Sequence, residues 1–202
     1  SFMTFRWIRN ALTPASCNWA VRCWMLIFLM CSMISPAALA DTSDPKVGRI
    51  KAAFVYNIAK FVYWPASHSS YDKLHVCFYR SDFMGQGFDA IVGREVHGKS
   101  VSKSVVSDLA QSNACHILLL GAENMEQYRL EYAGLSPPIG LLTVADLTMS
   151  RDHGRALPGV LLSLVRRGSS IGFEVSLEQV KERQLRMSSQ LLKLAKVLDQ
   201  EG

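Results

Sequence analysis

Three features that would point to other protein classes are missing from this sequence of 202 residues. It contains no Gly-x-Ser-x-Gly, the tight turn that exposes a nucleophilic serine in many hydrolases. No segment repeats with a period of about 20 to 50 residues, which excludes solenoids and propellers. After residue 40, no apolar run approaches the roughly 20 residues that a membrane-spanning helix needs. No other convincing catalytic set is present, so the sequence favours a binding protein that is not an enzyme and needs neither cofactor nor metal.

Acidic side chains are absent from residues 1–40, which contain Arg6, Arg9 and Arg22. Residues 41–202 carry 19 basic and 17 acidic side chains, a nearly balanced set. A nucleic-acid binder needs a clustered basic face, so nucleic acid is excluded as a partner. The apolar content of 49% excludes disorder, and 162 residues suffice for one domain with its own core.

The first forty residues have the pattern of a secretory signal peptide. Three arginines precede or flank the start of a short apolar run at residues 23–34, and Ala38-Leu39-Ala40 closes the segment. We expect cleavage between Ala40 and Asp41, export to the periplasm, and a mature domain at residues 41–202. An uncleaved membrane anchor is the alternative reading of the same run.

Cysteines are few after the predicted cleavage site, where only Cys77 and Cys115 remain. A pair of cysteines in an oxidising compartment predicts one disulfide. Two free buried thiols are one alternative. A metal site formed by His75 with the two cysteines is another, but we expect His116 to point to the opposite face of the sheet, which removes a fourth ligand.

The hydrophobic pattern predicts alternating helices and strands. Apolar residues at steps of three and four predict a helix over 46–64, ended by Pro65, with its buried stripe at Val47, Ile50, Phe54, Ile58 and Phe61. Further strands are expected at 74–79, 101–106, 115–120 and 139–144, with helices near 83–92 and 123–133.

The C-terminal third predicts a β-hairpin followed by helices. Runs at 160–165 and 171–177 flank a turn that contains Gly168. Ser176 can cap the next helix, and a last helix is expected from Ser188 or Ser189, with Leu191, Leu192, Ala195 and Leu198 facing inward. The order of elements predicts the α/β class: a single-domain α/β sandwich with a mixed, largely parallel sheet and a C-terminal hairpin and helix.

Aromatic residues crowd the first predicted helix, and one helical stripe can bury only some of them. Tyr56, Tyr63 and Trp64 are therefore candidate binding residues for a ligand or a partner, since tyrosine and tryptophan concentrate at interaction sites. Core packing is the alternative role for the same side chains. His97 and His153 lie in predicted loops and are interpreted as solvated.

A glycine pattern at residues 85–90, Gly-x-Gly-x-x-Ala, formally resembles a dinucleotide-binding fingerprint. Five residues separate Tyr79, the end of the preceding strand, from Gly85, whereas the true motif turns almost immediately off its strand. The pattern is better explained as a flexible entrance to a helix.

Several motifs in fixed order resemble the YfiR family of periplasmic regulators. The segment Ala-Ala-Phe-Val-Tyr-Asn-Ile-Ala-Lys-Phe-Val-Tyr-Trp-Pro at 52–65 is similar to that family's aromatic helix ending in Trp-Pro. The cysteine-bearing runs at 74–78 and 114–118 resemble its two cysteine strands, and Leu-Leu-Thr-Val-Ala-Asp at 141–146 its Leu-Thr-Val-Ser-Asp segment. Residues 172–176 and 185–195 fit its C-terminal signature, so the resemblance extends from about residue 47 to 198.

The resemblance implies regulation by binding. Members of the family repress an inner-membrane diguanylate cyclase through the cyclase's periplasmic sensor domain, which lowers cyclic-di-GMP signalling and biofilm formation. A peptidoglycan-associated outer-membrane lipoprotein can sequester the regulator, and a homodimer is compatible with the resemblance. Two other functions stay open from the residues alone: a periplasmic small-molecule-binding protein, and a metal-dependent enzyme.

The sequence departs from the family pattern at a few positions. Ser176 stands where asparagine is common, and Gln184 where glycine is usual. The loop at 151–158 is enlarged, and only one cysteine pair is present where some relatives carry two. These departures leave the expected fold intact and bear on the identity of the partner.

Overall fold

A computed structural model describes residues 44–68 and 71–198. The predicted signal peptide lies outside the described residues. The helices are α1 (Pro45–Ala59), α2 (Gln86–Asp89), α3 (Met125–Gly134), α4 (Leu177–Glu182) and α5 (Ser189–Leu192). The strands are β1 (Val62–Tyr63), β2 (Lys73–Tyr79), β3 (Glu95–Val96), β4 (Lys99–Val106), β5 (Ile117–Gly121), β6 (Leu142–Asp146), β7 (Leu162–Arg167), β8 (Ser170–Val175), β9 (Arg186–Met187) and β10 (Lys196–Val197).

Eight of these strands form one sheet in the order β10-β8-β7-β6-β5-β2-β4-β3. Neighbouring strands are parallel except for the pairs β7/β8 and β3/β4. A separate antiparallel pair joins β1 to β9, with Val62 opposite Met187. The mixed, largely parallel sheet of the single-domain α/β prediction is confirmed.

The central strands are buried on both faces, and their side chains alternate between two cores. In β5, Ile117 and Leu119 pack into the core beneath α1 and α2, whereas Leu118 and Leu120 pack into the core beneath α3. Strictly alternating sides are the geometry of an extended strand. Burial on both faces explains why the strand sequence is a continuous apolar run.

The C-terminal hairpin and its caps form as the sequence predicts. Strands β7 and β8 pair antiparallel, and Ser176 accepts a hydrogen bond from the backbone N–H of Gln179 at the start of α4. Serine and asparagine are equivalent N-cap residues, so this departure from the family pattern keeps the cap. Gln184 has a φ of 56°, the left-handed conformation that explains why glycine is usual there.

The first helix is shorter than predicted, and its predicted buried stripe is only partly right: Ile58 is buried and Phe54 and Phe61 pack partly against the core. α1 ends at Ala59, and the chain then enters β1, because Val62 and Tyr63 find a strand partner in β9. Three of the five buried residues of α1 are glycine or alanine, whereas Val47 and Ile50, which were predicted to be buried, are exposed. The buried residues of α1 are Gly48, Ala52, Val55, Ile58 and Ala59.

The last helix is also shorter than predicted. Ser188 caps it by accepting a hydrogen bond from the N–H of Leu191, as expected, but α5 ends at Leu192. Of the four side chains expected to face inward, Leu191 is buried and the others are half-buried. The chain leaves the helix because residues 196–197 add a parallel strand to β8.

Residues 93–100 have the pattern Gly-x-x-x-x-Gly-Lys-Ser, which is typical of a phosphate-binding loop. That loop must lead from a strand into a helix. Here Lys99 begins β4, and the N–H of Gly93 donates a hydrogen bond to the carbonyl of Val101 across the β3/β4 hairpin. The pattern lies in a different structural context and is not a phosphate loop.

The described residues 44–68 and 71–198 lie in one compact unit, and both cores lie within it. In the described part of the chain, no helix has the length and apolar character required to cross a membrane.

Candidate functional site

A pocket opens beside the amino ends of the parallel strands β2, β4 and β5. Its volume is about 290 Å³. The walls come from separate parts of the chain: β1 and the turn after it, the β3/β4 hairpin, the start of β5, and β9. The lining residues are Tyr63, Trp64, Pro65, Ala66, His68, Leu74, Val96, His97, Lys99, His116 and Arg186.

His116 forms part of the pocket wall and is 1% exposed. The backbone N–H of His75 donates a hydrogen bond to its Nδ1 at 3.1 Å, so the proton of the neutral ring lies on Nε2. This Nε2–H is buried, and among the described residues it makes no well-aligned hydrogen bond, although the backbone of His68 interacts with the ring. A buried donor without a well-aligned acceptor is costly to the folded state.

Aromatic and histidine rings surround His116. Its ring centroid lies 5.2 Å from that of His68, 5.1 Å from Tyr71 and 6.0 Å from Trp64. It stacks on His75 at 5.8 Å. The expectation that His75 and His116 lie on opposite faces is therefore wrong. Cys115 ends the helical turn that precedes β5, so the alternation of the strand does not reach Cys115 and does not separate His116 from the face of Cys77 and His75.

These surroundings keep His116 uncharged at neutral pH. Desolvation by burial lowers its pKa to about 4, and the nearby charges of His68, His75 and Lys99 act in the same direction. Desolvation also lowers the pKa of His68. Positive charge in the pocket therefore comes from Lys99, whose ammonium donates to the carbonyl of Tyr71, and from Arg186.

We expect the protein to lose stability on acidification between pH 6.5 and 4. The unfolded chain binds a proton at the ordinary histidine pKa of about 6.5, whereas folded His116 binds it only near 4. The unfolded state thus binds more protons in this window, and the free energy of unfolding falls by up to about 1 kcal/mol per pH unit as pH decreases. Thermal unfolding of residues 41–202 measured across this range tests the slope.

The matched variants for this pH dependence are His116→Gln and His153→Gln. His116→Gln should flatten the slope, because the titrating ring is gone. His153 is exposed in the loop before β7, so His153→Gln should leave the slope unchanged. Equal slopes in all three proteins would show that His116 is not the group responsible.

His97 lies in the hairpin turn, as predicted, but its ring is not simply solvated. Its Nε2 is 3.2 Å from the carbonyl oxygen of Ala59 and 2.9 Å from that of Val62. The ring also lies 5.4 Å from the ring of Tyr63. His97 thus fastens the β3/β4 hairpin to the end of α1 and forms one side of the pocket.

The three candidate binding residues from the sequence are not brought together. Tyr63 and Trp64 line the pocket. Tyr56 lies elsewhere: its hydroxyl donates to the carbonyl of Glu95, and its ring lies beneath Lys60 and Arg94. No local signal in the sequence marks the other polar lining residues, which are His68, Lys99, His116 and Arg186.

The structure contains the Cys77–Cys115 disulfide. Both cysteines are buried in the core beneath α3, and the bond joins β2 to Cys115, which lies two residues before the start of β5. Among the described residues, no group of three or more histidine, cysteine, aspartate or glutamate side chains is placed to hold a metal ion.

The carboxyl end of β6 is occupied by a structural ion pair. Lys51 of α1 donates to Asp146 at 2.5 Å, and the other carboxylate oxygen accepts from both the N–H and the hydroxyl of Thr148. All four contacting groups are buried or nearly so. Asp146 thus ties α1 to the sheet and is not open to a ligand.

The fold and the pocket of the described residues define an α/β protein with an internal disulfide and a cleft at the amino end of its sheet. A family comparison assigns it further: the YfiR/HmsC-like model, DUF4154, matches residues 48–196. The chain belongs to the YfiR/HmsC-like family, and membership implies regulatory protein interactions. No curated protein matches the sequence.

Proposed function

We propose that the protein is a periplasmic regulator that binds the periplasmic sensor domain of an inner-membrane diguanylate cyclase and holds the cyclase inactive. The observation that carries the proposal is the family match over residues 48–196, which covers every strand of the sheet except the end of β10. Repression would lower cyclic-di-GMP signalling and biofilm formation.

An exposed apolar groove between α1 and α5 supports a protein-binding role. Its volume is about 370 Å³, and its lining is almost entirely apolar: Ile50, Ala53, Phe54, Asn57, Ile58, Phe61, Phe173, Leu191 and Leu194. The groove exists because α1 packs its small residues against the core and leaves larger ones outside. Large apolar side chains at an exposed groove are the usual anchors of an interface. We propose the sensor domain as the occupant of this groove.

Such a regulator would repress the cyclase by shifting the equilibrium between its active and inactive states toward the inactive state. The regulator lowers activity only if it binds the inactive state of the cyclase more tightly than the active state. An outer-membrane, peptidoglycan-associated lipoprotein that captures the regulator would reduce the free concentration and release the cyclase. Both partners are part of the proposal.

The substitution Leu194→Glu tests the groove. Leu194 is 69% exposed, so a charge there leaves the fold intact but must be desolvated when a partner covers it. We expect at least a tenfold loss of affinity for the sensor domain, measured by titration, and raised cyclic-di-GMP in cells. The matched control is Leu130→Glu on α3, where leucine is 61% exposed on another surface.

Two results would contradict the proposal. Equal effects of Leu194→Glu and Leu130→Glu would remove the groove as the docking surface. Failure of residues 41–202 to recover any cyclase from detergent-solubilised membranes of the host would remove the regulatory function itself. Repeating the recovery with a reductant shows whether the disulfide is needed for binding.

A further inference from the structure

We infer that the apolar groove between α1 and α5 binds an amphipathic helix that has acidic side chains along one flank. The inference rests on the proposed docking of the sensor domain in this groove, and it names the element of the partner that docks there. It combines three observations: the backbone of the groove walls, the length of the apolar stripe on α1, and the charge of the rim.

The backbone of the groove walls favours a partner that brings side chains. Eight of the nine lining residues belong to α1, to α5 or to the residues just after them, and the ninth is Phe173 of β8. Phe61 and Leu194 follow the two helices, and their N–H groups still donate back to Ile58 and Leu191. Helical walls offer few free backbone groups to an extended peptide, whereas a partner helix can insert a row of apolar side chains between them.

The length of the stripe sets the size of the partner helix. The residues of α1 that line the groove begin at Ile50, and the stripe continues to Phe61 at helical spacing. At a rise of 1.5 Å per residue, this stripe is about 16 Å long, or three helical turns. Helices pack by fitting such rows of side chains into one another's grooves. The stripe therefore fits about three turns of a partner helix with apolar residues on one face.

The rim of the groove on α1 is basic. Lys46, Arg49 and Lys60 are exposed, and α1 contains neither aspartate nor glutamate. Lys46 and Arg49 stand seven and four residues before Ala53, which lines the groove, and Lys60 stands seven residues after it. These spacings place all three cations on the same side of the helix as Ala53. Lys60 also contacts the lining directly, because its Nζ donates to Oδ1 of Asn57 at 3.5 Å.

The cations of this rim have no acidic partner in the described part of the chain. None of the three forms an ion pair there. Asp44 precedes the helix, but its carboxylate accepts from the backbone N–H of Lys46. At the other end, Lys60 and Arg94 lie over the same ring, that of Tyr56, at 4.2 and 4.8 Å from its centroid. Unpaired cations beside an uncharged groove favour a partner with carboxylates at the matching flank.

A synthetic peptide tests the inference without the cyclase. The probe is a fluorescently labelled helix of about three to four turns with leucines on one face and glutamates on one flank, stapled because short helices are marginal in water. Two control peptides replace every glutamate with glutamine or with lysine. We expect the glutamate peptide to bind residues 41–202 with a Kd on the order of 10–100 μM at about 50 mM salt, measured by anisotropy. The glutamine peptide should bind about fivefold and the lysine peptide at least about twentyfold more weakly.

Two double variants of the protein locate the charge effect. Arg49→Glu with Lys60→Glu should weaken binding of the glutamate peptide about tenfold and make the lysine peptide the better ligand. Lys73→Glu with Lys181→Glu makes the same change in net charge at exposed positions outside the groove lining, and it should alter neither affinity. Circular dichroism checks the folding of both variants, and the comparison of the three peptides on the wild-type protein does not depend on them.

Three results would overturn the inference. These are no saturable binding of the glutamate peptide up to about 1 mM, equal affinities of the glutamate and glutamine peptides, or equal effects of the two double variants. Failure of the regulatory proposal gives a different result. If the sensor domain binds and only Leu194→Glu weakens it, the groove remains the docking surface and the acidic helix is disproved. If the sensor domain does not bind but the glutamate peptide does, the cyclase is the wrong partner and the inferred chemistry of the groove stands.

Discussion

Replacing both Cys77 and Cys115 with alanine is expected to lower the free energy of unfolding by about 4 kcal/mol. The disulfide closes a loop with a sequence separation of 38 residues, and the loop-entropy relation gives about this value for that length. Alanine is a suitable replacement because both positions are buried in an apolar core.

Urea unfolding of residues 41–202, followed by Trp64 fluorescence, measures this effect with a built-in control. Reductant should destabilise the wild-type protein by a similar amount, and it should leave the double variant unchanged. A loss below about 1 kcal/mol would show that the fold holds the two segments together without the bond.

A disulfide contribution of about 4 kcal/mol would also make the stability of the regulator depend on the redox state of its compartment. We propose that reduction relieves repression, and unchanged repression by a Cys77→Ser, Cys115→Ser protein would disprove that link.

The substitution Gly48→Ala is expected to destabilise the protein by about 2 to 3 kcal/mol, although alanine is the better helix former. A Cβ at position 48 would lie 2.6 Å from the backbone carbonyl oxygen of Met84. At position 87 it would lie 2.5 Å from backbone atoms of residues 48 and 49. Helices α1 and α2 thus approach each other through two glycines, and overpacking against a backbone cannot be relieved by a side-chain rotation.

The matched control for this contact is Gly134→Ala at the end of α3. A Cβ there meets nothing within 4 Å, so the substitution should be neutral or stabilise by up to about 1 kcal/mol. Opposite signs for the two glycine substitutions in the same unfolding experiment are the expected result. If Gly48→Ala were as stable as the wild type, α1 and α2 would not be in close contact. The same contact gives Gly87 a packing role, which accounts for the glycine pattern at 85–90 without a dinucleotide.

Much of the fold could be predicted because its signals are local. The run at 115–120 and the alternation at 74–79 both became strands, and the turn around Gly168 joins the predicted hairpin. The caps at Ser176 and Ser188 also formed, since a cap depends only on residues within the next turn. The predicted end of the first helix was wrong, and its predicted buried face was only partly right. The pairing of β1 with β9 decides where the helix ends, and the contact with Gly87 decides which face is buried; both partners are distant in sequence.

The candidate site was less predictable than the fold. Tyr63 and Trp64 stood out as a cluster of aromatics, and they do line the pocket. His116 and Arg186 carried no local signal, because a single histidine or arginine in sequence does not reveal which other segments lie beside it. Tyr56 shared the aromatic signal but lies on another surface, where Glu95 and Arg94 contact it.

By itself the sequence determined the central strands of the sheet, the C-terminal hairpin, the caps, the cysteine pair and the family. Each follows from the spacing of residue types along a short segment or from motifs in fixed order. Only the tertiary structure decided which face of α1 is buried, which rings surround His116, and which apolar residues remain exposed in the groove between α1 and α5. These features depend on the pairing of β1 with β9 and on the approach of Gly48 to Gly87. Such contacts join segments far apart in the chain, and the free energy that selects them comes from packing, which no local pattern encodes.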